Sequence, residues 1–284
     1  MMAAACGGAS HPTVERPVTF IHDEGTALSF DEVARRMSAV DVALVGELHG
    51  HPAGLETARR LFDRVATSSP RAALSLEFLE RDEQAALDAY LAGSIDDAEL
   101  TWRRGGTALP KPHQAMIDRA RAAGLPVIAA NAPRRFVKQA RLEGWDVLRA
   151  LPDDQRAWFT IPEAMPEGAY RARFAAAMGM GGGRDAGHGA PDPAKLDGFF
   201  RAQVLWDATM ADAIGKALAL PRAPVVHVVG RFHVEHDGGL AQLLRRAHPS
   251  ARIFTIVMSE EPEADDRGRG DVIAFVGPAA ADPH

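Results

Sequence analysis

The chain has 284 residues, 46% hydrophobic and 25% charged, a length and balance that suit one large globular core or a core with a helical annex. Its formal charge of −6, with no basic stripe interleaved with aromatics, gives a polyanion nothing to bind and excludes nucleic acid as a partner. No run approaches the roughly 18 to 20 apolar residues that span a bilayer, and the single cysteine excludes an internal disulfide and a cysteine metal cage.

Residues 1–16 are expected to be a disordered leader or a lipoprotein linker. Small residues precede Cys6, and Gly7-Gly8 and a Ser- and Pro-bearing stretch follow it, as at the acylated cysteine of a lipoprotein. No charged and apolar signal region precedes it. An acylated Cys6 therefore requires a start further upstream, and membrane attachment through that anchor. Residues 17–278 form one domain, and residues 279–284 a frayed tail.

Strands are expected at Val18–Phe20, Val42–Glu47, Ala72–Glu77, Val127–Asn131, Val225–Gly230, Ile253–Met258 and Val272–Val276. Most are continuous apolar runs, the pattern of strands covered by helices on both faces. Pro52 opens a helix to about Val65, with Leu55, Ala58, Leu61, Phe62 and Val65 on one face. A second helix runs from Lys111 to Ala123 and stops at Gly124-Leu125-Pro126. A third follows Asn131-Ala132-Pro133, and a long one covers Ala194–Leu220. Strand and helix in alternation imply an α/β fold with a mostly parallel sheet. About 80–115 and 145–200 the helices lack strands and are read as a helical annex, or lid, over the carboxyl edge of the strands. Within it, the glycine-rich stretch from Gly179 to Gly189 is expected to be a flexible loop.

Polar residues gather where these strands end. Glu47 and His49 follow VALVG, Glu77 ends AALSL, Asn131 ends VIAA, and Arg231, His233 and His236 follow VVHVVG. In a parallel sheet those ends share one edge, and ligands of open α/β folds bind in the crevice outside it. Each residue has a plainer reading. Glu77 is a solvated strand end, Asn131 a helix cap, and His49 and His51 satisfy a helix start. His227, inside an apolar strand, is read as a hydrogen-bonded core residue. On the long helix Gln203, Trp206, Asp207 and Met210 share a face, and Asp207 is expected to pair with Arg134, Arg231 or a pocket histidine rather than stay buried alone.

Five segments stand in order along the chain: GELHG at Gly46–Gly50, Glu77-Phe78, LPVIAANAPR at Leu125–Arg134, AQVLWDATMA at Ala202–Ala211 and GRFHV at Gly230–Val234. Together, from about Val42 to Met258, they resemble the ChaN-like haem-binding uptake family of the Tiki and erythromycin-esterase superfamily. The resemblance implies haem binding in bacterial iron uptake, with a homodimer and an outer-membrane haem receptor as partners. It also implies a cell-envelope location, lipoprotein or periplasmic, if the true start lies upstream; otherwise the location is cytoplasmic. Glu47-Leu48-His49 is more tightly spaced than the glutamate and histidine of the related esterases, and His113 stands where a tyrosine is expected.

Haem iron takes His, Cys, Met or Tyr. Tyr170 and His188 are the candidate ligands, with Arg134, Arg231 and Asn131 as further cofactor-binding residues and the arginines as propionate partners. Tyr90, on a helix with Leu87 and Leu91, is read as core. The alternative is a hydrolase in which Glu47, His49, Glu77 and His233 are catalytic, or hold manganese, cobalt or zinc. Against catalysis, no HExxH motif and no serine in a nucleophile elbow is present. A non-catalytic binding scaffold is the third reading.

Overall fold

A computed structural model describes residues 17–166, 169–180 and 193–279. In chain order they form β1 (Thr19–His22), β2 (Ala27–Leu28), α1 (Phe30–Ser38), β3 (Val42–Glu47), α2 (Pro52–Ser68), β4 (Ala73–Glu80), α3 (Gln84–Leu91), α4 (Asp97–Arg103), α5 (Lys111–Ala122) and β5 (Val127–Asn131). There follow α6 (Arg134–Glu143), α7 (Trp145–Arg149), α8 (Asp153–Arg156), α9 (Ala169–Met180), α10 (Pro193–Leu218), β6 (Val225–Gly230), α11 (Gly239–Ala247), β7 (Ile253–Ser259) and β8 (Val272–Phe275).

Among the described residues the sheet has eight strands in the order β2-β1-β8-β7-β3-β6-β4-β5. From β8 to β5 every neighbouring pair is parallel, and β1 and β2 add an antiparallel edge. The fold is the α/β class expected from the alternation of elements. The apolar runs read as continuous because both faces are covered. On β3, Ala43 and Val45 pack into a core with α1, α2 and α5, while Val42 and Leu44 pack against α10 and α11 on the other side. The two-residue β2 lacks any run long enough to announce itself.

Within the segment about 80–115, Ala86, Leu87, Tyr90 and Leu100 join the main core with α2 and α5. Among the described residues, the segment from α6 to α10 buries Phe136, Leu148 and Phe159 in one cluster and Tyr170, Phe174, Phe200 and Val204 in another.

The strand order decides what can meet at the carboxyl edge. β3, β6 and β4 are consecutive, so the residues ending them are neighbours. β5 lies outside β4, and between Leu76 and Glu80 the register of β4 against β5 shifts, so Asn131 pairs with Glu80. The edge strand therefore delivers Asn131 beside Glu80, the last residue of β4, away from the centre.

Candidate functional site

At the centre of the carboxyl edge is a cavity of about 510 Å³, with Glu47, His49, Glu77 and His233 in its lining. Leu48, Phe174, Met178, Trp206 and Phe232 wall it with apolar surface. The cavity thus joins the ends of three central strands to the inner faces of α9 and α10.

Its buried half is built around His233, which sits in a single 3-10 turn, Arg231–His233, after β6. Nδ1 lies 2.6 Å from Asp207 Oδ1, and Nε2 lies 3.5 Å from Glu77 Oε1. Burial alone would strip the imidazole of its proton, but Asp207 and Glu77 outweigh it and hold the group up to about 10. Burial likewise opposes the charge on Glu77, yet His233 above all, with help from His49 and the Gly230 amide, holds its carboxyl down to about 2. The amide of Gly230 donates to Glu77 Oε2 at 2.6 Å. Asp207, fully buried, is pushed up by loss of solvent, against the pull of His233. Tyr170 completes the chain. Its hydroxyl donates to Asp207 Oδ2 at 2.8 Å and accepts from Gln203 Nε2 at 3.0 Å.

The open half is built around His49. Its Nδ1 lies 3.0 Å from Glu47 Oε1, while Nε2 is 3.9 Å from Glu77 Oε2, beyond hydrogen-bond reach. The hydrogen bond to Glu47 raises its pKa, burial opposes the rise, and the charge of Glu77 supports it. Glu47 is itself buried, and its Oε2 lies 2.9 Å from His113 Nε2. The Phe78 ring touches both imidazoles, edge-on to His49 at 5.3 Å and tilted against His113 at 4.3 Å. Gly230 is required at the floor, since a Cβ there would lie 2.7 Å from His49 Nε2.

Four of the five residues expected on the pocket floor therefore converge, and Asn131 does not. Its Oδ1 accepts from the amide of Ala132, a local turn bond, and it takes no part in lining the cavity. Arg134 also lies outside, exposed and 3.5 Å from Glu80. Arg231 lines the cavity, 3.7 Å from Glu235 and 3.6 Å from Glu263. His236 points elsewhere, toward Asp265. His51 caps α2 and reaches the Gly277 carbonyl, and His227 is a core residue bonded to Ser75. The hydroxyl of Tyr90 donates to Asp118 from within the core. Cys6 and His188 lie outside the described residues.

Asp207 finds a pocket histidine, one of the three partners expected for it. Three contributors were not apparent beforehand. The Gln203 contact with His233 and Tyr170 was hidden because only the helix face was legible. Phe78 follows Glu77 in the sequence, and nothing in that position signals its contact with two imidazoles. His113 had a usable signal: with Met116, Ile117 and Ala120 it lies at i, i+3, i+4 and i+7, on the buried face of α5.

The donor set discriminates between cofactors. Among the described residues no group of three or more His, Cys, Asp or Glu is arranged to hold a metal ion. Glu47, His49, Glu77 and His233, the residues expected to hold manganese, cobalt or zinc, are largely committed to one another. The oxygens of Glu47 are taken by two imidazoles, and His233 is a donor between two acids rather than a lone-pair ligand. Haem would ask for less, a single nitrogen donor beside an apolar wall. His49 fits that demand. A carboxylate on Nδ1 fixes the tautomer that leaves Nε2 as the lone-pair nitrogen. Tyr170 fits less simply, since an iron at its hydroxyl has to displace the bond to buried Asp207.

The description "Haem-binding uptake, Tiki superfamily, ChaN" matches residues 33–244. The chain belongs to this ChaN-like family. A search of curated protein sequences finds no match. Among solved structures, that titled for cofacial haem binding to ChaN of Campylobacter jejuni superposes with a TM-score of 0.70 at 16% identity, covering 91% of this chain and 96% of that one. At that identity the likeness shows the fold. The type III effector HopBA1 matches with a TM-score of 0.46 at 14% identity, over 86% of this chain and 91% of that one. The RRSP effector domain of a Vibrio vulnificus toxin gives 0.43 at 16% identity, over 81% of this chain and 36% of that one.

Proposed function

We propose that this ChaN-like protein binds haem at the carboxyl-edge cavity and serves haem-iron uptake. The observation that carries the reading is His49. It presents an uncommitted Nε2 in a cavity walled by Phe174, Met178, Trp206 and Phe232, while Glu47 occupies its other nitrogen. When bound, haem supplies an iron centre that accepts the imidazole lone pair. The chain's own residues do the rest. Glu47 holds the His49 tautomer, Phe78 sets the ring's tilt, and Arg231 offers a cation to a propionate. The Campylobacter structure is titled for cofacial haem binding, and a homodimer belongs to this reading. So do a haem receptor as donor or acceptor and a lipid anchor at Cys6.

Haemin titration tests it. The wild-type chain is expected to give a saturable Soret shift near one haem per chain, and His49→Ala to lose it. An unchanged shift in His49→Ala moves the ligand to Tyr170 or His188.

The same His49–Glu47 pair favours one second reading, a hydrolase in which His49 is a general base oriented by a carboxylate. Its signature is ester or peptide cleavage, with or without manganese, cobalt or zinc, that disappears in His49→Ala and His233→Ala.

A further inference from the structure

Glu47 lies at the end of β3 with its carboxyl group fully buried, and each of its oxygens meets one imidazole nitrogen. Among the described residues those two contacts, to His49 at 3.0 Å and His113 at 2.9 Å, are the hydrogen bonds of that carboxyl group. His113 comes from α5, on the far side of the sheet edge from the cavity. It is 0% exposed and does not line the cavity.

Its other nitrogen, Nδ1, is buried and has no hydrogen-bond partner among the described residues. Such an atom lowers stability, and a phenylalanine or leucine could pack against Phe78 without that penalty. What a histidine provides there is the Nε2–H donated to Glu47. A buried carboxylate bonded on one oxygen only is free to turn its acceptor oxygens out of line with the His49 Nδ1–H. Bonded on both, it is held in a single orientation.

We propose that His113 is a positioning residue for His49, holding Glu47 by its second oxygen so that His49 stays protonated on Nδ1 and keeps Nε2 open to the cavity. Its consequence for haem rests on the reading of His49 as the iron ligand, but its effect on the His49 tautomer does not. The order is His113, Glu47, His49, cavity. Phe78, in contact with both rings, fixes their separation.

The test compares wild type, His113→Phe and His113→Gln, the last placing an amide N–H where Nε2 lay. Long-range ¹H–¹⁵N spectra of haem-free protein, at a pH alkaline enough for neutral imidazole, read the His49 tautomer. Wild type is expected to show one tautomer, with the proton on Nδ1. His113→Phe is expected to show a mixture, and His113→Gln to restore the single form. Haemin affinity should follow, falling about tenfold in His113→Phe and recovering in His113→Gln. If His113→Phe does not fold, His113→Leu takes its place. A wild-type tautomer in either apolar variant overturns the proposal. If instead the tautomer changes as expected while His49→Ala binds haem normally, the positioning role stands and the ligand reading fails.

Discussion

His49 and His233 sit on neighbouring strand ends, each between two carboxyl groups, and Glu77 is common to both. The side chain of His233 is 7% exposed and that of His49 54% exposed. Around His233 the two acids engage both ring nitrogens, and the pair of charges holds its members in place. Around His49 one nitrogen is engaged and the other opens on a cavity. The same residue types therefore make a structural ion cluster where water is excluded and a ligand-ready site where it is not. Glu77 joins the halves, so the buried charge sets the floor on which the open imidazole stands.

The largest effect that can break this contrast is at Asp207. Asp207→Leu leaves the His233 imidazolium and the Tyr170 hydroxyl buried without their acid, and is expected to destabilise the fold by about 3–5 kcal/mol in a denaturant titration. A change under about 1 kcal/mol would mean that the buried half is not a structural cluster.

The pH profile of stability sharpens the same point. His233 is held up to about 10 from an ordinary 6.5, so its contribution is complete below 6.5 and is lost as pH rises through 10. Glu77 is held down to about 2 from an ordinary 4.5, so its contribution is present above 4.5 and is lost as pH falls through 2. Unfolding midpoints should plateau between about 4.5 and 6.5 and fall on both sides, and Glu77→Gln should flatten both limbs.

Tyr170→Phe removes one hydrogen bond to a charged group and is expected to lose about 1.5–3 kcal/mol of stability while leaving the haem spectrum unchanged. A lost Soret shift in this variant would make the phenol, not the imidazole, the iron ligand. Smallest in stability is Gly230→Ala. Its Cβ would meet His49 Nε2 at 2.7 Å, so haemin affinity should drop severalfold while the unfolding midpoint hardly moves.

Much of this was legible from the chain. The apolar runs of β3, β5 and β6 end in the structure where the sequence places them: β3 and β6 are buried along their whole length, and β5 is buried except at Ile128 and Asn131, which are half-buried. Polar residues at those ends are conspicuous for the same reason. What the sequence does not carry is lateral order. Nothing in VIAAN says that β5 is an edge strand, and that placement, with the shifted register of β4, takes Asn131 away from Glu47. Long-range pairing was half legible. A buried Asp207 demanded a partner, but choosing His233 over two arginines depended on how α10 crosses the sheet. His113 was visible as a histidine on an apolar helix face, yet its bond to Glu47 requires α5 and β3 to be brought together by the fold.

The central claim is that His49 Nε2 is the nitrogen offered to iron. Resonance Raman spectroscopy of the reduced haem complex reads that bond directly through the iron–histidine stretching band. The account predicts the band in wild type and Tyr170→Phe and its loss in His49→Ala. A band that survives in His49→Ala, or an iron–phenolate signature in the oxidised wild type that vanishes in Tyr170→Phe, would contradict it.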